Sequence, residues 1–497
     1  MSSPKASQPQ KLERTLKPRH LNMIAIGGAI GTGLFVALGD SLSTAGPGGA
    51  LLAYAIIGAM VYFLMTSLGE MTTFMPVAGA FETYGSRFVD PAFGFALGWN
   101  YWYNWSITVA AELVAAVILV RFWFPDAPAI FISIGFLALL FLLNFFSAKI
   151  YGESEFWFAS IKVFTVIIFL VLGLLMILGI MGGSSPGLEN WTVGEAPFVN
   201  GAFGVLSIFM VAGFSFQGTE MISVAAGESE NPQKAIPKAI RSVFWRILLF
   251  YIGAIAVIGF LIPYTDPNLL KGGIDNLSVS PFTLVFQRAG LAAAASVMNA
   301  VILSSVLSAG NSGLYVASRM LYALAKDNKA PKCFAKLSKH HIPLNALLAT
   351  TAVACASFLS SPSGEGPVYV WLVSASGLAG FITWVGIAIS HYRFRKALLA
   401  QGHDLGELAY KAKWYPFGPL FALCLCLIVI AGQGLNSISA GHIDWMGLVF
   451  SYIGIPIFLA LYFGYKIKHK TKLVKPEEAD LSGSYQEELA LEDRQPE

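Results

Sequence analysis

Among 497 residues, 56% are hydrophobic and only 12% charged, about half the charged fraction of a typical soluble protein. So few charges cannot cover a soluble fold of this size, and lipid is the solvent this composition requires. The formal net charge of +3 gives no reason to expect a nucleic-acid partner, and four cysteines and seven scattered histidines show neither metal spacing nor a disulfide framework.

Residues 1–20 are polar and basic and lack the apolar core and small-residue cleavage site of a secretory signal. Beyond them, apolar runs long enough to cross about 30 Å of hydrocarbon lie at 21–44, 49–75, 95–123, 128–148, 155–181 and 201–226. Six more follow at 242–264, 293–325, 343–361, 366–391, 416–437 and 444–467. The expected fold class is therefore all-α integral membrane, with twelve spans. The stretch 278–292 is too short and polar to cross and reads as an external helical loop. The charged residues 468–497 read as a solvated cytoplasmic tail.

The first span contains Gly27-Gly28-Ala29-Ile30-Gly31-Thr32-Gly33, four glycines in seven residues. Each glycine costs about 1 kcal/mol of helix stability relative to alanine. Close helix packing is the simpler explanation for one small-residue pair, but this density points to a helix that opens over a cavity. Backbone freed inside a membrane must find partners in protein, water or a ligand.

Span three carries a cluster of aromatics that fits an interfacial belt in part. Tyr101 lies three residues from Asn104 and four from Trp105, so these share one helical face. Deeper in that span sits Glu112. Span five carries Lys162 about seven residues inside its expected start, roughly 10 Å in from the cytoplasmic end. Ionisable groups at such depth are functional hypotheses. A lysine there can gain and lose a proton as water access alternates, or it can be a permanent structural cation.

Span six repeats the pattern of span one, as Gly213-Phe214-Ser215-Phe216-Gln217-Gly218-Thr219-Glu220 places polar groups and glycines at membrane depth. Interrupted helices in matching positions of two five-span halves point to a transporter site on an inverted repeat. Half-helix N-termini suit a carboxylate, and the opposite ends offer carbonyls to an ammonium group. An α-amino acid carries both charges. Glu228 and Glu230, at the end of span six, can serve a cation path or an inner gate, or can be loop acids. Asn311 and Ser312 add polar groups in span eight.

With the N-terminus cytoplasmic, 28 of the 32 Lys and Arg residues fall on the inside, three on the outside, and Lys162 within a span. That asymmetry puts both termini in the cytoplasm.

The strings RHLNMIAIGGAIGTGLF, GFALGWNYWYNW, GFSFQGTEMISVAAGESENP and SAGNSGLYVASRMLYALA occur in that order. Together they resemble the amino acid–polyamine–organocation superfamily, in its bacterial amino acid permease branch, over residues 12–470. The resemblance is nearest to the lysine-specific members. It implies a five-plus-five inverted-repeat fold of the LeuT type, with helices one and six interrupted. The repeats would span 21–181 and 201–396, followed by two peripheral helices at 416–467. It implies that Gly31, Thr32 and Gly33 offer N–H groups to a substrate carboxylate. The carbonyls around Ala29 and from Phe214 to Gln217, including Ser215, would then receive the α-amino group. Phe214 matches the aromatic that closes over substrate, and Glu220 matches the embedded acid of span six. Lys162 matches the span-five lysine of proton-coupled relatives. Tyr101, Asn104 and Trp105 lie on the family's substrate side.

The expected function is proton-coupled uptake of L-lysine, or another basic amino acid, by alternating access in an inner, plasma membrane. The proton is the coupling ion, the lipid bilayer is the surrounding partner, and no other cofactor or metal is expected. Glu112 or Glu220 can neutralise a cationic substrate or brace unwound backbone. Alternatives are an arginine/ornithine or other amino acid permease or exchanger, and a membrane sensor that binds without flux. No GxxxxGK[ST] loop supports ATP-driven transport, and no nucleophile–base pair within the spans supports an enzyme.

Overall fold

The computed structural model describes residues 12–27, 30–35, 37–183, 185–267, 269, 280–291, 293–434, 438–439, 442–443 and 445–482. Its helices in chain order begin with α1 (Pro18–Gly27), α2 (Thr32–Phe35), α3 (Ala37–Phe74), α4 (Ala80–Phe88) and α5 (Pro91–Arg121). Next come α6 (Ala129–Phe146), α7 (Ala148–Ile177), α8 (Gly201–Ser207), α9 (Phe209–Phe216), α10 (Met221–Ala225), α11 (Pro232–Arg246) and α12 (Ala254–Leu261). The remainder are α13 (Pro281–Arg288), α14 (Ala294–Lys326), α15 (Leu344–Ala354), α16 (Ser360–Ser363), α17 (Glu365–Ala400), α18 (Phe417–Gly432), α19 (Trp445–Tyr452) and α20 (Gly454–His469). A two-residue antiparallel pair, Ile438–Ser439 with His442–Ile443, is the strand structure among the described residues.

Ten helical stretches among the described residues are long and apolar enough to cross a membrane, and α18 is a shorter apolar helix. The longest, α3, is two helices joined at Gly46, whose φ of 72° and ψ of 172° interrupt it just before Pro47. Burial sorts the helices into a centre and a rim. The most apolar windows of α5, α14 and α17 are 78–83% buried, whereas those of α6, α7 and Gly447–His469 are 12–33% buried. The apolar side chains on the rim face outward, as a lipid-solvated protein allows.

Several boundaries differ from the sequence expectation for local reasons. The seventh apolar helix starts at Pro232 rather than 242, because the Asn231 side chain caps the Lys234 N–H and proline suits the first turn. Arg246, counted among the inside cations although it falls within the expected span 242–264, is helical and 2% exposed. Likewise, Ser147 caps α7 by accepting from the Ile150 N–H. Lys162 thus lies 14 residues beyond Ala148, about 21 Å of helical rise rather than 10 Å.

The expected external helix is α13, which docks Phe282 between Phe35 and Phe169 at ring-centroid distances of 5.0 and 4.2 Å. The described part of the expected solvated tail is instead bonded to the body. Val474 donates to the Val89 carbonyl at 2.9 Å, and Gln401 Nε2 donates to the carbonyls of Pro476 (3.0 Å) and Ala479 (2.8 Å). Leu481 is 9% exposed. A leucine and an alanine spaced to bury against the end of α17 outweigh the charges around them. Residues 483–497 lie outside the described residues.

Candidate functional site

The first break follows Gly27, where α1 stops, and α2 resumes at Thr32. Gly28 and Ala29, the latter expected to present carbonyls to substrate, lie outside the described residues. A helix end leaves carbonyls without intrahelical partners, and two cations meet them here. Lys162 Nζ donates to the Gly27 carbonyl at 2.9 Å, and Arg246 Nη1 donates to that of Ala25. Ser305 Oγ donates to the Ile30 carbonyl at 2.7 Å. Positive charge at a helix C-terminus also complements its dipole. Both cations are buried.

The second break follows Phe216. Gln217 is extended (φ −60°, ψ 147°), and Gly218 has a φ of +95°, a conformation that favours glycine. Gln217 Nε2 donates to the Gly377 carbonyl at 2.9 Å. Glu220 turns back on the break: its carboxylate accepts the Gly218 N–H at 3.1 Å and Trp384 Nε1 at 3.3 Å. Thr219 Oγ1 accepts from Arg246 Nη2 at 2.5 Å, so one guanidinium holds both interrupted helices.

The breaks touch directly. Ser215 Oγ donates to the Gly33 carbonyl at 3.0 Å and lies 3.1 Å from the Tyr54 hydroxyl. A Cβ on Gly33 would fall 2.6 Å from the Ser215 Cα.

Between them lies a cavity of about 20 Å³, lined by Gly31, Thr32, Gly33, Trp105, Thr108, Glu112, Phe214, Gln217 and Ala309. That is about the space one water needs, and an amino acid cannot enter without movement. Thr32 Oγ1 lies 3.5 Å from Glu112 Oε1, and Glu112 Oε2 has no hydrogen-bond partner among the described residues. Asn104, Thr108 and Glu112 follow at i, i+4 and i+8 on one stripe of α5. Asn104 is buried with its amide unpartnered among the described residues, one turn from the cavity. Tyr101 stands behind Trp105, its ring 6.4 Å away, and packs against Phe81.

Other expected positions fall outside this cavity. Ser215 and Glu220 hold the breaks. Asn311 Oδ1 accepts from Asn144 at 2.9 Å, and its amide donates to Ser154 at 3.2 Å. Ser312 Oγ is 3.1 Å from the Tyr151 hydroxyl. These two belong to a buried polar layer that joins α14 to α6 and α7. Within that layer, Glu155 Oε1 accepts from Ser308 at 2.6 Å.

Glu228 is a buried acid rather than a loop acid. It accepts from Arg319 Nε and the Tyr315 hydroxyl, each at 2.8 Å. Its backbone carbonyl accepts the Leu16 N–H at 2.9 Å, while the Leu16 carbonyl accepts the N–H of the exposed Glu230 at 3.1 Å. The chain before α1 therefore pairs with the segment that follows α10.

The residues that sequence reasoning passed over had weak or misread signals. Thr108 lies between Asn104 and Glu112 on one stripe, but a threonine there has the same appearance whether it faces a cavity or a neighbouring helix. Glu155 sat at an expected span boundary, where acids are unremarkable. Arg246 was counted with the loop cations. Ala309 carries no signal of its own.

The chain matches the amino acid permease family over residues 20–477. It is 57% identical over 476 residues to the lysine-specific permease LysP of Escherichia coli (strain K12), covering 96% of this chain and 97% of that one. Identity to the lysine-specific permease LysP of Lactococcus lactis is 54% over 478 residues, covering 95% and 93%. Identity to the histidine permease HisP of the same organism is 50% over 473 residues, covering 95% and 98%. Apolar helices, paired breaks and near-full-length similarity lead to one conclusion: this chain is a multi-pass membrane protein that belongs to the amino acid permease family.

Proposed function

We propose that the chain imports L-lysine, or a closely related basic amino acid, together with protons by alternating access. The observation that carries this reading is the meeting of two interrupted helices at one cavity, with a carboxylate in its wall and a buried lysine on the end of α1. The substrate carboxylate would take the N–H groups of Gly31 to Gly33. The α-amino group would compete for carbonyls of the second break, where those of Phe214, Ser215 and Phe216 now accept from the Gln217 N–H (3.1 Å), the Tyr251 hydroxyl (2.6 Å) and Thr219 Oγ1 (2.5 Å). Glu112, with one oxygen unpartnered among the described residues, would accept the side-chain ammonium. The two similar permeases named for lysine support this substrate over others.

In this reading the twelve spans form five-plus-five inverted repeats, α18 and the α19–α20 pair are peripheral, and both termini are cytoplasmic in a bacterial inner membrane. The break at Gly46, which divides α3, supports the count of twelve. Lys162 couples protons to transport: protonated, it holds the Gly27 carbonyl, and deprotonated it frees the end of α1 to move. Lys162→Ala in proteoliposomes is expected to lose accumulation driven by a pH gradient while still binding lysine. Undiminished proton-driven accumulation would overturn the coupling role.

The 50% identity to a histidine permease favours one second reading, a site for an imidazole side chain. Thermal stabilisation by each of the twenty amino acids in turn separates the two, because a ligand that binds only the folded state raises apparent stability. Lysine stabilisation without flux in vesicles would instead indicate a sensor.

A further inference from the structure

Far from the substrate cavity, a cleft of about 480 Å³ opens between the start of α5, the turn after α14 and the last turns of α20. One wall is a stack of three rings: Tyr465 lies 4.4 Å from Phe95 and 4.2 Å from His469, each pair at 25°. Its floor, from Ala460 and Leu461 to Gly464, is apolar and lacks bulk. A Cβ added at Gly464 would meet no atom within 4 Å. The flank of α20 beside it exposes Leu459, Phe463 and Ile467 at 43%, 51% and 75%. Side chains of that kind face hydrocarbon in a membrane protein, so the mouth of the cleft is open to lipid.

The polar end of the same cleft is basic. Several cations nearby are committed: Lys466 donates to Asp90 at 2.5 Å, Lys329 to Glu82 and Ser86, and Lys475 to Glu478 at 3.0 Å. Lys468, on the cleft wall, and Lys470 and Lys472, just beyond the helix end, have no side-chain partner among the described residues and are exposed. An apolar groove that ends in uncommitted positive charge at a helix terminus complements an amphiphile with an anionic head. The positive-inside distribution puts this end of α20 in the cytoplasmic leaflet, where anionic lipids attract juxtamembrane lysines.

We propose that this cleft binds an anionic phospholipid, with an acyl chain along Leu461 and Gly464 and its phosphate against Lys468. A zwitterionic lipid of the same chain length fits the groove but leaves the three lysines uncompensated. Free inorganic phosphate matches the lysines but leaves the groove unfilled. The leaflet assigned to the lipid rests on the orientation in the proposed function; the binding itself does not.

The test is native mass spectrometry of the delipidated full-length chain with added phosphatidylglycerol, phosphatidylcholine of the same acyl chains, or inorganic phosphate. Phosphatidylglycerol is expected to stay bound in preference to the other two. Gly464→Leu fills the groove and should weaken its retention about tenfold, equivalent to about 1.4 kcal/mol. Lys468→Gln should reduce the preference for phosphatidylglycerol over phosphatidylcholine. The thermal unfolding midpoint and monodispersity of both variants should match the parent and so show that they are folded. Equal retention of both lipids, retention of phosphate alone, or undiminished binding by Gly464→Leu would overturn the site. So would a lipid-free dimer whose two chains cover this cleft.

Discussion

At Gly33, a helical residue, lack of space selects one residue type. The carbonyl of Gly33 accepts from Ser215, and the two interrupted helices approach so closely there that the smallest added side chain would strike backbone. Gly33→Ala must push α9 away from α2 and carry the cavity wall with it. Lysine uptake is therefore expected to fall by more than about tenfold, which corresponds to 1.4 kcal/mol, while the protein remains monodisperse in detergent. Uptake at the parental rate would show that the two helices separate freely at this point. Such glycines were legible because their density in a helix is a local anomaly that no distant contact needs to explain. Thr108 and Ala309 were less so, because a threonine or alanine facing a cavity has the same sequence appearance as one facing a neighbouring helix.

The helices themselves were legible for a related reason: a membrane fixes span length, and apolar runs report it directly. What sequence could not give was the chemistry at the ends of broken elements. Arg246 and Lys162 both cap α1 although they lie 221 and 135 residues away from their acceptors. Their role follows from tertiary placement alone. Arg246 differs from Lys162 in bonding two elements at once, the Ala25 carbonyl and the Thr219 hydroxyl, which its forked guanidinium can span. A single ammonium cannot reach both with the same geometry. Arg246→Lys is accordingly expected to keep the fold but lose most transport. Arg246→Ala should also lower thermal stability, by about 1.5–3 kcal/mol for charged hydrogen bonds removed. If the lysine variant transported normally, the bridge between the breaks would be dispensable. A second element-end test lies at Asp90, whose carboxylate caps the Ala92 N–H at 2.9 Å and holds Thr471 at 2.7 Å. Asp90→Ala loses the cap and a tether of the C-terminal segment, and is expected to cost about 1–2 kcal/mol in thermal unfolding.

Over the whole molecule, two packed clusters of different chemistry adjoin the interrupted helices. One is apolar and aromatic, with Phe282 of α13 between Phe35 and Phe169. The other is an ion pair, Glu228 with Arg319, beside the stacked rings of Tyr151 and Tyr315 at 3.8 Å and near the backbone of Leu16. If the proposed alternating access opens them in turn as outer and inner seals, the ion pair must be separable at a moderate cost. A buried pair that loses one partner leaves an uncompensated charge, which costs about 3–5 kcal/mol, whereas removing both charges together leaves none uncompensated. Glu228→Gln alone should therefore lower stability substantially and impair transport. The double variant Glu228→Gln with Arg319→Met should recover stability without recovering transport. The first comparison is read by thermal unfolding and the second by uptake in proteoliposomes. Recovery of uptake along with stability would make the pair a structural filler, and the inner seal would have to reside in the Leu16 segment alone. Failure to recover either would show that Arg319 supports the Tyr315 ring, which it covers at 4.0 Å, more than it compensates Glu228.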